Sequence, residues 1–303
     1  MFTNFESVIN YIKDTGIKKT AAVAAAQDDD VLSSAVKAKS LGILDFVFVG
    51  DKEKISVILN DLGETPDNWE IINEKNDTKA AEIVARMVQE KKVDMPIKGL
   101  LHTSVFLKAL LNKERKLLSE RSLLSQVETI ENPISKRLLL VTDGVINVAP
   151  DYNDKIKIIN NAVLLANKLG IQNPKVAVLA AVETVNPDMP ECIEAAMLSK
   201  ANEHGQIKGC IIDGPLSLDL ALSEDAAKTK GLTGEVVGKA DILLAPNIVT
   251  GNVLIKSLRL AAESQVAGSI LGAKIPFIAT SRSDNMDNKL NTIALSILQL
   301  ASV

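Results

Sequence analysis

The sequence predicts an α/β fold of two domains, in which helices cover both faces of mainly parallel sheets. Short β-branched runs without charge alternate with longer helical patterns, which is typical of βαβ units. The chain of 303 residues exceeds what one hydrophobic core usually serves, so we expect two domains. Only 3% of the residues are aromatic, whereas 47% are apolar. A core of Ala, Val, Ile and Leu suits strands that are buried on both faces.

The alternating pattern predicts the individual strands and helices. The apolar runs that we expect to form strands are 46–49, 97–101, 138–141, 176–179, 210–212, 242–244 and 275–279. The helical patterns between and after them are 78–92, 154–169, 190–204, 252–271 and 289–300. Helices of these lengths can carry the chain back to the start of the next parallel strand.

The best domain boundary lies at Glu131-Asn132-Pro133. A residue that precedes proline is pushed out of the helical region, so Asn132 stops a helix. A new strand pattern begins at Arg137. The residues themselves therefore predict a first domain in 1–132 and a second domain that begins at 133.

Charge and cysteine content narrow the class of protein. The formal net charge of −4 and the isoelectric point near 5.4 give no overall basic field, so nucleic acid is not an expected partner. The first residues resemble no signal peptide, and no apolar run reaches the ~18–20 residues that span a bilayer, so we expect a cytoplasmic protein. Cys192 and Cys210 lie in no disulfide or metal-binding pattern, and we expect both to be small buried apolar residues.

Polar side chains follow most of the predicted strands. Parallel sheets place ligands at the carboxyl ends of their strands, so these residues are candidates for substrate binding. They are His102, Thr103, Asp143, Asn147, Asp213, Pro215, Asn247, Gly251 and Asn252. The turn at 250–252 opens a helix whose amides suit an anion, although an ordinary turn would use the same residues.

The segment after the last predicted strand reads Thr-Ser-Arg-Ser-Asp, from residue 280 to 284. Its hydroxyls and its guanidinium, in Ser281 and Arg282, suit a phosphoryl or carbonyl oxygen. The same residues would also serve as a helix N-cap, with the arginine paired to a nearby carboxylate. The spacing alone leaves both interpretations open.

Several other classes of site lack their motifs. Gly231, Gly234 and Gly238 match neither the dinucleotide-binding pattern nor the phosphate loop of ATPases. His102 and His204 stand far apart without metal-ligand spacing, which disfavours a metal site. No G-x-S-x-G elbow is present.

Two further features are predicted to have structural roles. The acidic run at 28–30 is typical of residues that cap a helix and stabilise its dipole. The single tryptophan, Trp69, is predicted to be a surface anchor in a loop.

Taken together, the strand-end segments resemble the phosphate acetyl/butyryl transferase family, and most closely its butyryl branch. The segments begin with KGLLHTSVF, LLLVTDGVINVAP, VAVLAAVETVNP, IKGCIIDGP, GKADILLAPNIVTGN and GAKIPFIATSRSD, in that order. The resemblance implies a fold similar to isocitrate and isopropylmalate dehydrogenases, with two α/β domains and a cleft between them. It also implies that the C-terminal segment rejoins the first domain, giving domains of 1–132 plus 271–303 and 133–270.

The resemblance implies a reaction as well. Members of the family transfer a short-chain acyl group between coenzyme A and inorganic phosphate, directly and in a ternary complex. Acyl-CoA, phosphate and acyl phosphate are then the substrates, and no metal or other cofactor is expected. The resemblance further implies a homodimer or a larger homo-oligomer.

Site residues follow from the family pattern position by position. Ser281 and Arg282 match a Ser-Arg pair in which the arginine holds phosphate and the serine assists at the carbonyl. The acetyltransferases carry a catalytic Asp seven residues after that serine, where this chain has Asn288. Asp284 and Asp287 are then the available bases, with Asp284 preferred. Lys108 stands where the acetyltransferases have an arginine, and it would keep the charge without bidentate binding.

Three alternatives remain beside butyryl transfer. The first is acetyl transfer by the same chemistry. The second is a dehydrogenase of the same superfamily fold, which the lack of a recognisable acidic metal-binding cluster disfavours. The third is a coenzyme A-binding module without activity, suggested by Asn288 and Lys108.

Overall fold

The computed structural model describes residues 1–118, 122–133, 135–279 and 284–301. The chain divides into two compact units. The middle unit consists of Met1–Asn4 and Leu123–Val266, and the terminal unit consists of Phe5–Ser122 and Ala267–Val303. Both contain helices and parallel strands, which confirms the predicted α/β class.

The terminal unit begins with alternating helices and strands. They are α1 (Phe5–Thr15), β1 (Thr20–Ala24), α2 (Asp29–Ser40), β2 (Asp45–Gly50), α3 (Lys52–Asp61), β3 (Glu70–Asn73), α4 (Asp77–Gln89), β4 (Met95–Lys98) and α5 (Thr103–Leu110). The strands pair in parallel in the order β3-β2-β1-β4, as expected of βαβ crossovers. Strand β4 is shorter than predicted, because the amides of Gly99 and Leu100 turn to the carbonyls of Ala24 and Ala25.

Trp69 corrects the prediction of a surface anchor. Only 6% of the residue is exposed, and its ring stacks on Phe48 with 5.1 Å between centroids. The ammonium of Lys39 covers the same ring at 3.9 Å from its centroid. The prediction was wrong because Phe46 and Phe48 present their rings on one face of β2, and the tryptophan completes that aromatic layer.

The middle unit is built on a larger sheet. Its elements are β5 (Ser125–Glu131), β6 (Leu138–Thr142), α6 (Tyr152–Lys168), β7 (Lys175–Leu179), α7 (Pro190–Glu203), β8 (Ile211–Leu216), α8 (Leu218–Leu222), α9 (Glu224–Lys230), β9 (Ile242–Leu244) and α10 (Ile248–Leu260). The strand order in this unit is β5-β6-β9-β7-β8, and a further strand, β10 (Val266–Leu271), begins at the last residue of the unit. Strand β5 runs antiparallel to β6, and the pairs from β6 to β8 are parallel.

The units divide at positions that differ from the predicted boundaries after residues 132 and 270. Strand β5 precedes the predicted boundary, yet it groups with the middle unit because it hydrogen-bonds along β6.

The prediction of a helix at 252–271 was wrong in its second half. Glu263 has a positive φ of 49° after the helix end, and β10 follows. Apolar residues in that stretch recur at helical spacing, which conceals a strand buried on both faces.

The last part of the chain belongs to the terminal unit. The strand predicted at 275–279 is limited to isolated bridges, one of which pairs Ile278 with Ile97 in parallel. Helix α11 (Met286–Leu300) confirms the final predicted helix and begins earlier, since Asn285 caps it by accepting from the amide of Asn288. The predicted helices at 78–92, 154–169 and 190–204 are confirmed as α4, α6 and α7. Within the described ranges, no helix combines the length and the apolar character needed to cross a membrane.

Candidate functional site

A cavity of about 1050 Å³ lies at the carboxyl ends of β7 and β9 in the middle unit. Its lining residues are Ala149, Pro150, Asp151, Lys155, Leu179, Ala180, Ala181, Pro190, Glu191, Glu194, Leu218, Pro246, Asn247, Val249, Thr250, Val253, Leu254 and Ser257. Most of these side chains are apolar, and the polar ones are grouped at helix ends. Large apolar cavities with a few placed polar groups are the usual sites for small molecules.

Three helices begin at the lining of this cavity. Asp151 is the N-cap of α6, Pro190 is the first residue of α7, and Asn247 is the N-cap of α10. Helix N-termini carry partial positive charge from their amides. The side chains of the lining add three carboxylates, those of Asp151, Glu191 and Glu194, and one ammonium, that of Lys155.

An ion pair between α6 and α7 forms part of the cavity wall. The ammonium of Lys155, whose side chain is 5% exposed, donates to the carboxylate of Glu194, which is 31% exposed. Sequence reasoning missed both residues, because charged residues in helical patterns are usually solvated. One feature of the sequence could have identified Lys155 as a site residue. It lies one turn after the N-cap of α6, in a segment that follows a predicted strand.

Asp143, a predicted substrate-binding residue, is occupied by its own loop. The residue is 2% exposed, and its Oδ1 accepts from the amides of Val145 and Ile146 at 2.8 and 3.0 Å. Its Oδ2 accepts from the Nδ2 of Asn147 at 2.6 Å and from the amides of Asn147 and Gln126 at 3.3 Å. Asp143 and Asn147 therefore shape the loop after β6 and have little capacity left for a ligand.

Gly251 and Asn252 hold α10 against that loop. A side chain at Gly144 would lie 2.7 Å from the carbonyl carbon of Gly251, so the two glycines permit a close backbone approach. The Nδ2 of Asn252 donates to the carbonyl of Gly144 at 3.0 Å. The helix begins at Ile248, and the amide of Gly251 already bonds to the carbonyl of Asn247. The prediction that helix-terminal amides at 251 and 252 receive an anion is corrected, because the helix starts earlier.

The remaining predicted residues of the middle unit differ in their surroundings. Asn247 lines the cavity, and its side chain caps α10 by accepting from the amide of Thr250 at 3.0 Å. Asp213 lies in β8 and accepts from the amide of Gly214 at 2.8 Å. Pro215 is buried in the same strand after a cis peptide bond. Of this group, only Asn247 belongs to the described cavity lining.

Predicted residues of the terminal unit gather at the start of α5. His102 is the N-cap residue, without a side-chain capping bond, and Thr103 opens the helix. Lys98, which the strand-end argument missed, is 5% exposed and donates to the carbonyls of Gly99 and Leu101. A buried ammonium beside a helix N-terminus favours an anion. Lys108 lies in the last turn of α5 and is exposed.

The predicted catalytic residues are only partly described. Ser281 and Arg282 lie outside the described residues. Asp284 is half-buried just before α11, whereas Asp287 is exposed in the first turn of that helix. The structure therefore favours Asp284 over Asp287 as a partly desolvated carboxylate.

The cysteines agree with their predicted environment. Cys192 and Cys210 are both buried, and His204 is exposed at the end of α7. Burial raises the pKa of the Cys210 thiol to about 11, which makes it a poor nucleophile near neutral pH. In the parts of the chain that the structure describes, no three His, Cys, Asp or Glu side chains are grouped so as to hold a metal ion.

Known proteins resemble this chain over almost its full length. Residues 70–297 match the family model described as "Phosphate acetyl/butaryl transferase". The phosphate butyryltransferase of Clostridium acetobutylicum is 46% identical over 298 residues, which are 98% of each chain. A branched-chain phosphotransacylase from Enterococcus faecalis V583 superposes with a TM-score of 0.83 at 32% identity, covering 93% of this chain and 99% of that one.

A more distant structure shows likeness of fold alone. It is 4-hydroxythreonine-4-phosphate dehydrogenase from Klebsiella pneumoniae, with a TM-score of 0.59 at 13% identity, covering 93% of this chain and 98% of that one. The likeness agrees with the dehydrogenase-like architecture that the sequence predicts.

Replacing Asp143 by alanine is expected to lower the free energy of unfolding by about 2–4 kcal/mol, because the buried carboxylate that accepts from several donors of its loop is lost. The measurement is urea unfolding followed by circular dichroism. Asp151→Ala is the matched control, since Asp151 accepts from one amide at an exposed helix end and its loss is expected to cost about 1 kcal/mol. Equal losses for the two variants would contradict the structural role of Asp143.

Proposed function

Because the chain belongs to the phosphate acetyl/butyryl transferase family, we propose that it moves a butyryl group between coenzyme A and inorganic phosphate. The observation that carries the proposal is 46% identity to a phosphate butyryltransferase over 98% of both chains. A likeness of this extent covers the strand ends, the cavity and the segment at 280–284 together. Fold alone would not support an activity.

The proposed reaction is a direct acyl transfer. In one direction the thiol of coenzyme A loses its proton to a carboxylate, and the thiolate attacks the carbonyl carbon of butyryl phosphate. A carbon–sulfur bond forms, the carbon–oxygen bond to the phosphate breaks, and phosphate leaves with its electron pair. The reverse direction uses phosphate as the nucleophile and releases free thiol. Both reactants are held at once, so no metal or other cofactor takes part.

Roles for the segment at 280–284 come from its match to the family. Arg282 binds the phosphate group through paired N–H donors, and Ser281 donates to the carbonyl oxygen as charge develops there. Asp284 accepts the thiol proton. Its half-buried position supports this assignment over the exposed Asp287.

The middle-unit cavity is proposed to receive acyl-CoA. Its apolar walls suit a four-carbon acyl chain, and polar groups of Asn247, Thr250 and Ser257 suit the amides of the pantetheine arm. The helix N-termini at its lining favour the partial negative charge of a thioester carbonyl. In the terminal unit, Lys98 and the start of α5 support a place for a phosphate group.

A branched acyl chain is the second candidate, favoured by the branched-chain phosphotransacylase that superposes on this chain. Isobutyryl and butyryl groups have the same number of carbon atoms, so the cavity volume does not separate them. Only relative turnover can rank them, with acetyl-CoA as the shorter comparison.

Location and assembly are further parts of the proposal. Two free, buried cysteines are consistent with a reducing compartment such as the cytoplasm. Leu260 exposes apolar surface at the end of α10, away from the valines of that helix that line the cavity, and this supports a homo-oligomer. A solution mass of one chain, 32.5 kDa, would contradict the oligomer.

Mixing the protein with butyryl-CoA and phosphate is expected to release free thiol, measured by a colorimetric thiol reagent. Arg282→Ala is expected to raise the KM for phosphate more than about tenfold, because a charged bidentate contact is lost. Ser281→Ala is expected to lower kcat about a hundredfold by removing a donor to the oxyanion. Isobutyryl-CoA, acetyl-CoA and NAD-dependent hydroxyacid oxidation are the comparisons. Absence of thiol release from every acyl-CoA would end the transferase proposal.

Asp284→Asn is expected to lower kcat by about a hundredfold or more, because the amide cannot accept the thiol proton. Asp287→Asn is its matched comparison, with the same change at an exposed site of the same segment, and a smaller effect is expected. The measurement is kcat at saturating substrates. A larger loss in Asp287→Asn would move the base to that residue.

Ala181→Trp is expected to raise the KM for butyryl-CoA about tenfold and to leave the KM for phosphate unchanged, because the indole fills part of the acyl-CoA cavity. Ala262→Trp is the control, since it places the same side chain at an exposed site away from the lining. Unchanged acyl-CoA kinetics in folded Ala181→Trp would place the acyl-CoA elsewhere.

A further inference from the structure

Lys289 is a buried cation at an unfavourable place in α11. Only 5% of the residue is exposed, and it lies in the first turns of the helix. The N-terminus of a helix repels positive charge, and a buried ammonium loses hydration that must be replaced. A lysine at this position therefore does not stabilise α11, and its presence needs another explanation.

The ammonium of Lys289 bonds to two other parts of the terminal unit. Its Nζ donates to the main-chain carbonyl of Asp284 at 2.5 Å and to the carboxylate of Asp30, in α2, at 3.3 Å. Lys289 lines a small cavity together with apolar residues that include Val31 and Ile278. One side chain thus joins α2, α11 and the residue that follows the segment at 280–283.

Ile278, which precedes that segment in the chain, is held by hydrogen bonds to β4. The amide of Lys98 donates to the carbonyl of Ile278 at 2.8 Å, and the amide of Ile278 donates to the carbonyl of Pro96 at 3.0 Å. The described residues on both sides of 280–283 in the chain are thus held by contacts within the terminal unit.

We infer that Lys289 is a positioning residue, which holds Asp284, the proposed base, in place for acyl transfer. The inference rests on the proposed function. Lys289 does not touch the reacting atoms in this role. Its loss would misplace them, and misplacement by about an ångström can lower a rate by a hundredfold.

The test compares three substitutions with a control. Lys289→Met keeps an unbranched stem and removes the ammonium, Lys289→Arg keeps a cation, and Asp30→Asn removes the charge of the more exposed partner. Lys37→Met is the control, because Lys37 is an exposed lysine of α2. Thiol release from butyryl-CoA and phosphate gives kcat and both KM values, and thermal unfolding reports whether each variant is folded.

Lys289→Met is expected to lower kcat at least tenfold with both KM values within about twofold, and Lys289→Arg to recover most of the loss. Asp30→Asn is expected to lower kcat several-fold, and Lys37→Met to match the unmodified protein. A folded Lys289→Met with unchanged kcat, or with a raised KM and unchanged kcat, would overturn the inference. If Lys289→Met does not fold, unchanged kcat in Asp30→Asn would overturn it. Failure of the unmodified protein to release thiol would instead overturn the proposed function.

Discussion

The buried carboxylate of Asp143 is the interaction on which the middle-unit cavity depends. Without a charged acceptor at the end of β6, the amides of Val145 and Ile146 would lose the bonds that hold them to the loop. Because those bonds shape the loop, Gly144 can approach Gly251, and the carbonyl of Val148 can accept from the first amide of α10. The residues that follow the loop and the start of α10 then form one wall of the cavity.

The part of the cavity wall that α6 and α7 form depends on charge through an ion pair. Lys155 and Glu194 bring α6 and α7 together at the cavity, and burial makes their attraction stronger than that of a surface pair. Removing hydration from both groups costs free energy, so the pair contributes less to stability than its Coulomb energy suggests. What it does provide is a fixed separation between two helix N-termini. A fixed arrangement of dipoles binds a polar substrate without reorganising.

A strand could be predicted from the sequence where its residues follow a pattern that is typical of strands and of little else. Strands β6, β7 and β9 are built mostly from Val, Leu and Ile in short runs, the pattern from which they were predicted. Strand β1, TAAVA, was not predicted because alanine favours helices, and β5 was not predicted because polar residues interrupt it. Strand-end reasoning found Asn247 and Asp143. It could not tell that Asn247 lines a cavity while Asp143 accepts hydrogen bonds from its own loop, because tertiary packing sets the direction of each side chain.

A chain with a net charge of −4 can still offer buried cations to the phosphate-bearing substrates of the proposed function, although Lys155 and Lys289 are already paired with Glu194 and Asp30. Lys98, Lys155 and Lys289 are each at most 5% exposed, so solvent screens them far less than it screens surface charges. A few buried cations and helix N-termini can dominate the potential inside a site while acidic residues on the surface set the net charge. Total charge therefore argues against an extended phosphate polymer, which contacts a surface. It does not argue against phosphate groups that enter a cavity, where the local field decides.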